Sequence, residues 1–198
     1  MIVIHGKGGH GRTIARFSGE HWFTDDTEGT RPNPGDRFII GIGDNATRKT
    51  LGPGNYTVIA DGAKGDAAGI SRNGVYIGAL AYIGPGAVVH DGAIVNTGAI
   101  VEHDCVVGPY SHIAPRATLC GGVTVGEGAL VGAGAVVKPG IHIGEWAVIG
   151  CGAVVVNDVP AHETWAGNPA RFRGKDRAGR GSLCLALARF FRGLQWLK

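Results

Sequence analysis

The chain is poor in charge. Asp, Glu, Lys and Arg make up 18% of its 198 residues, and the formal net charge is only +3. That balance is too mild to hold nucleic acid by electrostatics alone. The four cysteines, Cys105, Cys120, Cys151 and Cys184, form no C-x-x-C pair, which argues against a structural zinc site and implies free thiols in a reducing compartment. No apolar run approaches the roughly 20 residues of a membrane span, and the apolar start Met1–Ile4 is too short for a signal peptide. These absences predict a soluble, cytoplasmic protein without a metal site. What the chain has in plenty is glycine, 36 residues without a collagen triplet, so many tight turns are expected.

The order in the sequence is a period of six. An aliphatic residue recurs without a phase slip at Ile77, Ile83, Val89, Val95, Val101, Val107, Ile113, Leu119, Val125, Val131, Val137, Ile143, Ile149 and Val155. Four places after each stands a second, usually small residue, from Ala81, Ala87, Ala93 and Ala99 through Cys105 and Ser111 to Ala153 and Val159. Six matches neither the 3.6-residue turn of a helix nor the two-residue alternation of a long strand. It predicts a parallel β-solenoid: short strands, an inward aliphatic stacked coil upon coil, and a small residue at each corner.

Residues 1–73 lack this pattern. Met1–His5 reads as a buried strand, followed by Gly6-Lys7-Gly8-Gly9-His10-Gly11 and a helix beginning near Arg12. A G-x-G-x-x-G turn between strand and helix brings backbone N–H groups and a helix N-terminus to a phosphate. Asp25 and Asp26 follow at a distance suited to a ribose hydroxyl. Phe38–Ile42 and Thr57–Ala60 read as further strands, with Gly41-Ile42-Gly43-Asp44-Asn45 and Arg48 between them; a strand between Gly19 and Arg37 is hard to find.

Polar residues interrupt the repeat most densely from Asn96 to His112, around Glu102-His103-Asp104. Acyl transfer to an amine needs a base, which a histidine supplies near neutral pH, and a carboxylate can orient its ring. If three hexads close one coil, residues 18 apart stack at about 4.8 Å. His103 then lies one coil from Gly121, whose N–H can serve a developing oxyanion.

These motifs carry a resemblance. The G-x-G-G-H-G start, the Asn96-Thr97 to Glu102-His103-Asp104 stretch and the Ala166-Gly167-Asn168-Pro169-Ala170 ending resemble the hexapeptide-repeat sugar O- and N-acyltransferases, the group of bacterial sialic acid O-acetyltransferases and UDP-4-amino-sugar N-acetyltransferases. The resemblance implies a left-handed parallel β-helix, an exception to right-handed crossovers, over residues 74–160. A small α/β Rossmann-like domain over 1–73 would bind a nucleotide sugar, and a CoA-side loop would open the segment 161–198. It implies a homotrimer with sites between neighbouring prisms, and an acetyl transfer from acetyl-CoA to a nucleotide-linked amino sugar for surface glycans. His103 would be the base and Asp104 its partner. Gly8, Gly9, His10, Gly11, Asp25, Asp26, Asn96 and His112 would meet the sugar nucleotide. Gly121, Ala133, Gly152 and Arg171 would meet the cofactor. Where relatives often carry glutamate, Asp104 is one methylene shorter.

Other positions read differently. His90-Asp91 is expected in a solvated turn, His142 and His162 at the surface, and Cys120 as a packing residue. Gly174–Gly181 reads as a basic linker. Leu183–Lys198 reads as an amphipathic segment that packs on protein or lies on a membrane surface. Transfer to a sugar hydroxyl, as in sialic acid O-acetylation, uses the same residues, and a non-enzymatic scaffold is the third reading.

Overall fold

The computed structural model describes residues 2–6, 8–17, 21–24, 32 and 36–175. Asp25, Asp26 and residues 176–198 lie outside the described residues, while Gly174 and Lys175 of the expected linker Gly174–Gly181 belong instead to the last strand, Arg171–Lys175. The N-terminal part is a three-stranded parallel sheet. Strand β1 (Ile2–His5) is central, with β2 (His21–Thr24) on one side and β3 (Phe38–Ile40) on the other. Helix α1 (Gly9–Phe17) follows β1 and buries Gly11, Ile14 and Ala15. Helix α2 (Asn45–Leu51) follows β3, and its first turn is capped by Asp44, whose carboxylate accepts from the Thr47 N–H at 2.8 Å. The strand the sequence hid is therefore β2.

The rest is a parallel β-solenoid. Its hexad strands are two residues long, and each from Val58–Ile59 to Val136–Val137 pairs with the strand 18 residues on, as in Ile100↔Thr118, Val106↔Thr124 and His112↔Leu130. Three hexads thus make one coil. The first face runs Lys64–Gly65, Tyr82–Ile83, Ile100–Val101, Thr118–Leu119, Val136–Val137 and Val154–Val155. The second face runs Val88–Val89, Val106–Val107, Thr124–Val125 and His142–Ile143. The third runs from Val58–Ile59 through Tyr76–Ile77, Ile94–Val95, His112–Ile113, Leu130–Val131 and Val148–Ile149, and ends on Glu163–Ala166 with the antiparallel Arg171–Lys175. The strand expected over 57–60 is present as Val58–Ile59, but it pairs with Tyr76–Ile77 of the coil and not with the N-terminal sheet. Lys64–Gly65 pairs with Tyr82–Ile83 in the same way. Counting back in sixes from Ile77 gives Ser71, Gly65 and Ile59, so the boundary expected at residue 73 falls inside an irregular first coil.

Every aliphatic of the six-residue series, from Ile77 to Val155, and every residue four places after it, from Ala81 to Val159, is buried. They form one column of apolar contact along the axis, each large aliphatic adding about 1.5–3 kcal/mol. The main chain is satisfied by the next coil, for example Ile100 N–H to Ala117 O at 2.9 Å and Glu102 N–H to Leu119 O at 3.0 Å. At some corners a side chain curls over the glycine one coil back. A Cβ on Gly92 would lie 2.7 Å from the Tyr110 ring, and one on Gly128 would lie 2.5 Å from the Trp146 ring.

A second, smaller core joins the two parts. Ile2, Ile4, Ile14, Ala15 and Ile39 of the sheet and α1 pack on Val58, Tyr76 and Ile94, which point outward from the third face. The N-terminal sheet therefore sits on that face, over its first coils.

Candidate active site

His103 and Asp104 turn the corner between the first and second faces. Asp104 has φ +58°, a left-handed conformation that aspartate tolerates better than most side chains. This bend returns its carboxylate to its neighbour: Asp104 Oδ2 lies 2.8 Å from His103 Nδ1. Bound to a carboxylate, Nδ1 carries the proton and Nε2 is left with a lone pair. That nitrogen faces the next coil. A Cβ built on Gly121 would fall 2.4 Å from Nε2 and 2.5 Å from Cε1, so the ring occupies the space that any side chain at 121 would need. Gly122 N–H donates to His103 O at 2.9 Å and pins the two coils together, while no other described backbone group engages the Gly121 N–H. A lone pair and a free N–H thus share one exposed corner, with His103 and Asp104 side chains 61% and 73% exposed.

Asn96 and His112 come together elsewhere. Asn96 Nδ2 lies 3.1 Å from His112 Nε2, so the amide donates to a neutral ring. His112 stands on the third face, opposite the His103 corner in a three-sided coil. Burial, above all, holds its pKa well below 6.5, with Arg48 and His10 acting the same way and a backbone hydrogen bond with Gly43 acting against them. His10, in the first turn of α1, is 6.2 Å from the His112 ring and meets Tyr76 edge-on at 5.2 Å. Burial, aided by Arg48, pushes His10 down to about 4. Among the described residues, the buried His10 Nε2 and Tyr76 Oη have no hydrogen-bond partner.

The helix begins at Gly9, inside the glycine motif, and not near Arg12 as expected, while the close approaches of a tight turn are present. Gly6 has φ +113°, and a Cβ on Gly11 would lie 1.9 Å from Gly6 O, which only a glycine at the helix start allows. Nothing lies within 4 Å of a Cβ on Gly8 or Gly9, and both are exposed. This turn, His10, Asn96 and His112 therefore form one region on the third face; His103, Asp104 and Gly121 form another across the prism.

Of the expected cofactor residues, only Gly121 adjoins His103. Ala133 and Gly152 share the corner between the third and first faces, tied by Gly152 N–H to Ala133 O at 2.9 Å. Arg171 is exposed on the last strand, its Nη1 donating to Ala170 O. Cys105 donates its thiol to Cys120 O at 3.2 Å. Asp91 accepts from Ser71 and Asn73 of the first coil, beside an exposed His90. His162 lies 3.6 Å from Glu145, and His142 is exposed within its strand. Among the described residues no group of three or more His, Cys, Asp or Glu is gathered in metal-binding fashion, and no helix is long and apolar enough to cross a membrane.

Sequence reasoning gave little weight to α2. Asn45 Nδ2 donates to Gly128 O at 3.0 Å, Lys49 pairs with Glu127 and lies 5.5 Å from the Trp146 ring centre, and Arg48 binds two corners of the coil. Polar residues at i, i+3 and i+4 mark one helix face, and that spacing was the available signal.

The architecture is a parallel β-solenoid of hexapeptide repeats presenting a histidine–carboxylate pair against a glycine corner, the layout of an acyltransferase. Residues 122–157 match the family model described as bacterial transferase hexapeptide (six repeats). A mutant of perosamine N-acetyltransferase from Caulobacter crescentus, solved with CoA and GDP-perosamine, is 32% identical. The alignment covers 88% of this chain and 97% of that one at a TM-score of 0.78. The acetyltransferase domain of PglB from Neisseria gonorrhoeae FA1090, solved with acetyl coenzyme A, is 30% identical over 87% of this chain and 98% of that one, with a TM-score of 0.79. WeeI from Acinetobacter baumannii AYE, 23% identical over 87% of this chain and 99% of that one, shares the fold at a TM-score of 0.76. No curated protein matches the chain by sequence. The chain belongs to the hexapeptide-repeat sugar acyltransferase family, and it is an acyltransferase.

Proposed function

We propose that the protein transfers the acetyl group of acetyl-CoA to the amino group of a nucleotide-linked amino sugar, in the cytoplasm, for surface glycan synthesis. The observation that carries this reading is the orientation of His103: Nδ1 tied to Asp104 at 2.8 Å, Nε2 aimed at the Gly121 corner. The amine lone pair attacks the thioester carbonyl carbon and a C–N bond forms. His103 Nε2 takes the amine proton. The Gly121 N–H donates to the oxyanion. Collapse breaks the C–S bond, and the proton on His103 passes to the departing sulfur. Asp104 fixes the ring tautomer and steadies the imidazolium.

The acceptor end is assigned to the third face. The Gly8–Gly11 turn and the N-terminal α/β unit would hold the nucleotide phosphates, with Asp25 and Asp26 toward the ribose and Asn96 and His112 toward the sugar. Relatives at 32% and 30% identity were solved with CoA and GDP-perosamine and with acetyl coenzyme A, respectively, which supports both partners. Ala133, Gly152 and Arg171 are assigned to the cofactor side.

His103 and His112 lie on opposite sides of one coil, so one substrate can meet both only between two copies. We therefore assign the protein a homotrimer of left-handed coils. The exposed Tyr82, Val88 and Val136 on the first and second faces, each 37–39% exposed, are apolar surface of the kind a neighbouring prism covers.

The test is CoA release from acetyl-CoA with a panel of nucleotide-linked 4-amino sugars, GDP-perosamine among them, using native protein and His103→Ala. Release with one sugar, cut by about 10²-fold or more in the variant, supports the reading. Release with a hydroxyl sugar alone would make the enzyme an O-acetyltransferase.

A further inference from the structure

Arg48 is 2% exposed, and among the described residues every hydrogen-bond partner of its guanidinium is a main-chain carbonyl. Nη1 donates to Ile42 O at 3.2 Å and Gly43 O at 3.1 Å. Nη2 donates to Tyr110 O at 2.6 Å and Ser111 O at 3.3 Å, and Nε donates to Gly92 O at 3.2 Å. Gly92 and Tyr110 are corners of adjacent coils, and Ser111 immediately precedes His112. Ile42 and Gly43 follow Gly41, whose own Cβ position would lie 2.7 Å from Gly11 Cα. One planar cation therefore joins the loop packed on the glycine turn to the strand bearing His112.

Burying a cation that no carboxylate hydrogen-bonds, with Asp44 acting on it only through space, is costly, and an apolar side chain usually fills such a space at lower cost. What arginine adds is five directed donors in a rigid fork. We propose that Arg48 is a positioning residue, setting the offset between the Gly6–Gly11 turn and the Asn96–His112 pair so that an acceptor spanning both is aligned in a single binding event. This rests on the assignment of the nucleotide to the glycine turn and of the sugar to His112. The cation also has an electrostatic consequence. The titratable and charged groups facing His112 are Arg48 and His10, and Arg48 disfavours a proton on either ring.

The experiment compares native protein, Arg48→Lys and Arg48→Met, using whichever of GDP-perosamine and the UDP-linked 4-amino sugars the native protein acetylates. A 1 Å misplacement can cost about 10²-fold. Arg48→Met should therefore lose about that much kcat/KM for the nucleotide sugar, with Arg48→Lys between the two. The KM for acetyl-CoA and the inhibition constant of the free nucleoside diphosphate, which touches only the glycine turn, should stay within about twofold. Equal losses for all three ligands would reduce Arg48 to a structural role and overturn the proposal, as would unchanged nucleotide-sugar kinetics. If native protein acetylates nothing, the functional reading falls by itself. Arg48 is then judged by ring-nitrogen NMR of 15N-histidine protein: His10 and His112 should titrate at higher pH in Arg48→Met. Unmoved His10 and His112 would sink the positioning role.

Discussion

The ring of His103 occupies the volume that a Cβ on Gly121 would fill, with Nε2 2.4 Å from that position. Gly121 has ordinary backbone geometry, so alanine there is conformationally permitted, and its effect is felt by the ring. Gly121→Ala should lower kcat/KM by 10²-fold or more, since Nε2 and the N–H must both stay in place, while Tm moves little at so exposed a corner. Steady-state kinetics beside a thermal melt would decide it; near-native kinetics would mean that His103 acts in another orientation.

Asp104 combines a left-handed φ of +58° with its bond to His103. Asparagine tolerates the conformation but loses the charge, so Asp104→Asn should keep its Tm and lose activity. Asp104→Ala should lose activity and also about 1 kcal/mol, the cost of αL for a side chain without local hydrogen bonding. Equal activity in Asp104→Asn and native protein would remove the carboxylate from the mechanism.

The buried, neutral His10 makes stability depend on pH. Its folded pKa of about 4 lies below the unfolded 6.5, so the unfolded chain binds more protons between these values. The stabilisation is complete above pH 6.5 and drains away as pH falls toward 4, to the order of 3 kcal/mol. Melts between pH 7.5 and 4.5 should show a steeper acid decline for native protein than for His10→Asn. Parallel curves would mean that His10 is solvated.

Corner glycines differ in what they protect. Gly134 has φ +67° with open space where a Cβ would go, whereas Gly128 has φ +63° and the Trp146 ring 2.5 Å from that position. Gly134→Ala should cost about 1–2 kcal/mol, the left-handed backbone term alone. Gly128→Ala should cost about 1–3 kcal/mol more for displacing the ring. Chemical denaturation separates the two; equal losses would contradict the stacking.

Inside the coil, Leu119 is fully buried among its stacked equivalents. Leu119→Ala should cost about 2–5 kcal/mol. A loss below 1 kcal/mol in denaturant titration would mean that the coil closes around the cavity.

Sequence determined the solenoid because its period is local and repeated. The chain meets its own pattern every six residues, and the same step that buries Val101 buries Leu119 and Val137. With three hexads to a coil, which the family resemblance implied, the His103–Gly121 contact was countable from residue numbers, and Gly6, Gly8 and Gly11 announced their turn through spacing alone. Tertiary structure decided what depends on segments far apart in the chain. It found β2 in a stretch without periodicity, because parallel pairing with β1 and not its own pattern defines that strand. It drew Val58–Ile59 into the coil, since the backbone groups of Tyr76–Ile77 needed partners on that side. It also brought the glycine turn, with His10, to the face that bears His112 and placed Arg48 among five carbonyls. Those arrangements follow from how a sheet docks on one face of a three-sided coil, which no spacing within the chain encodes.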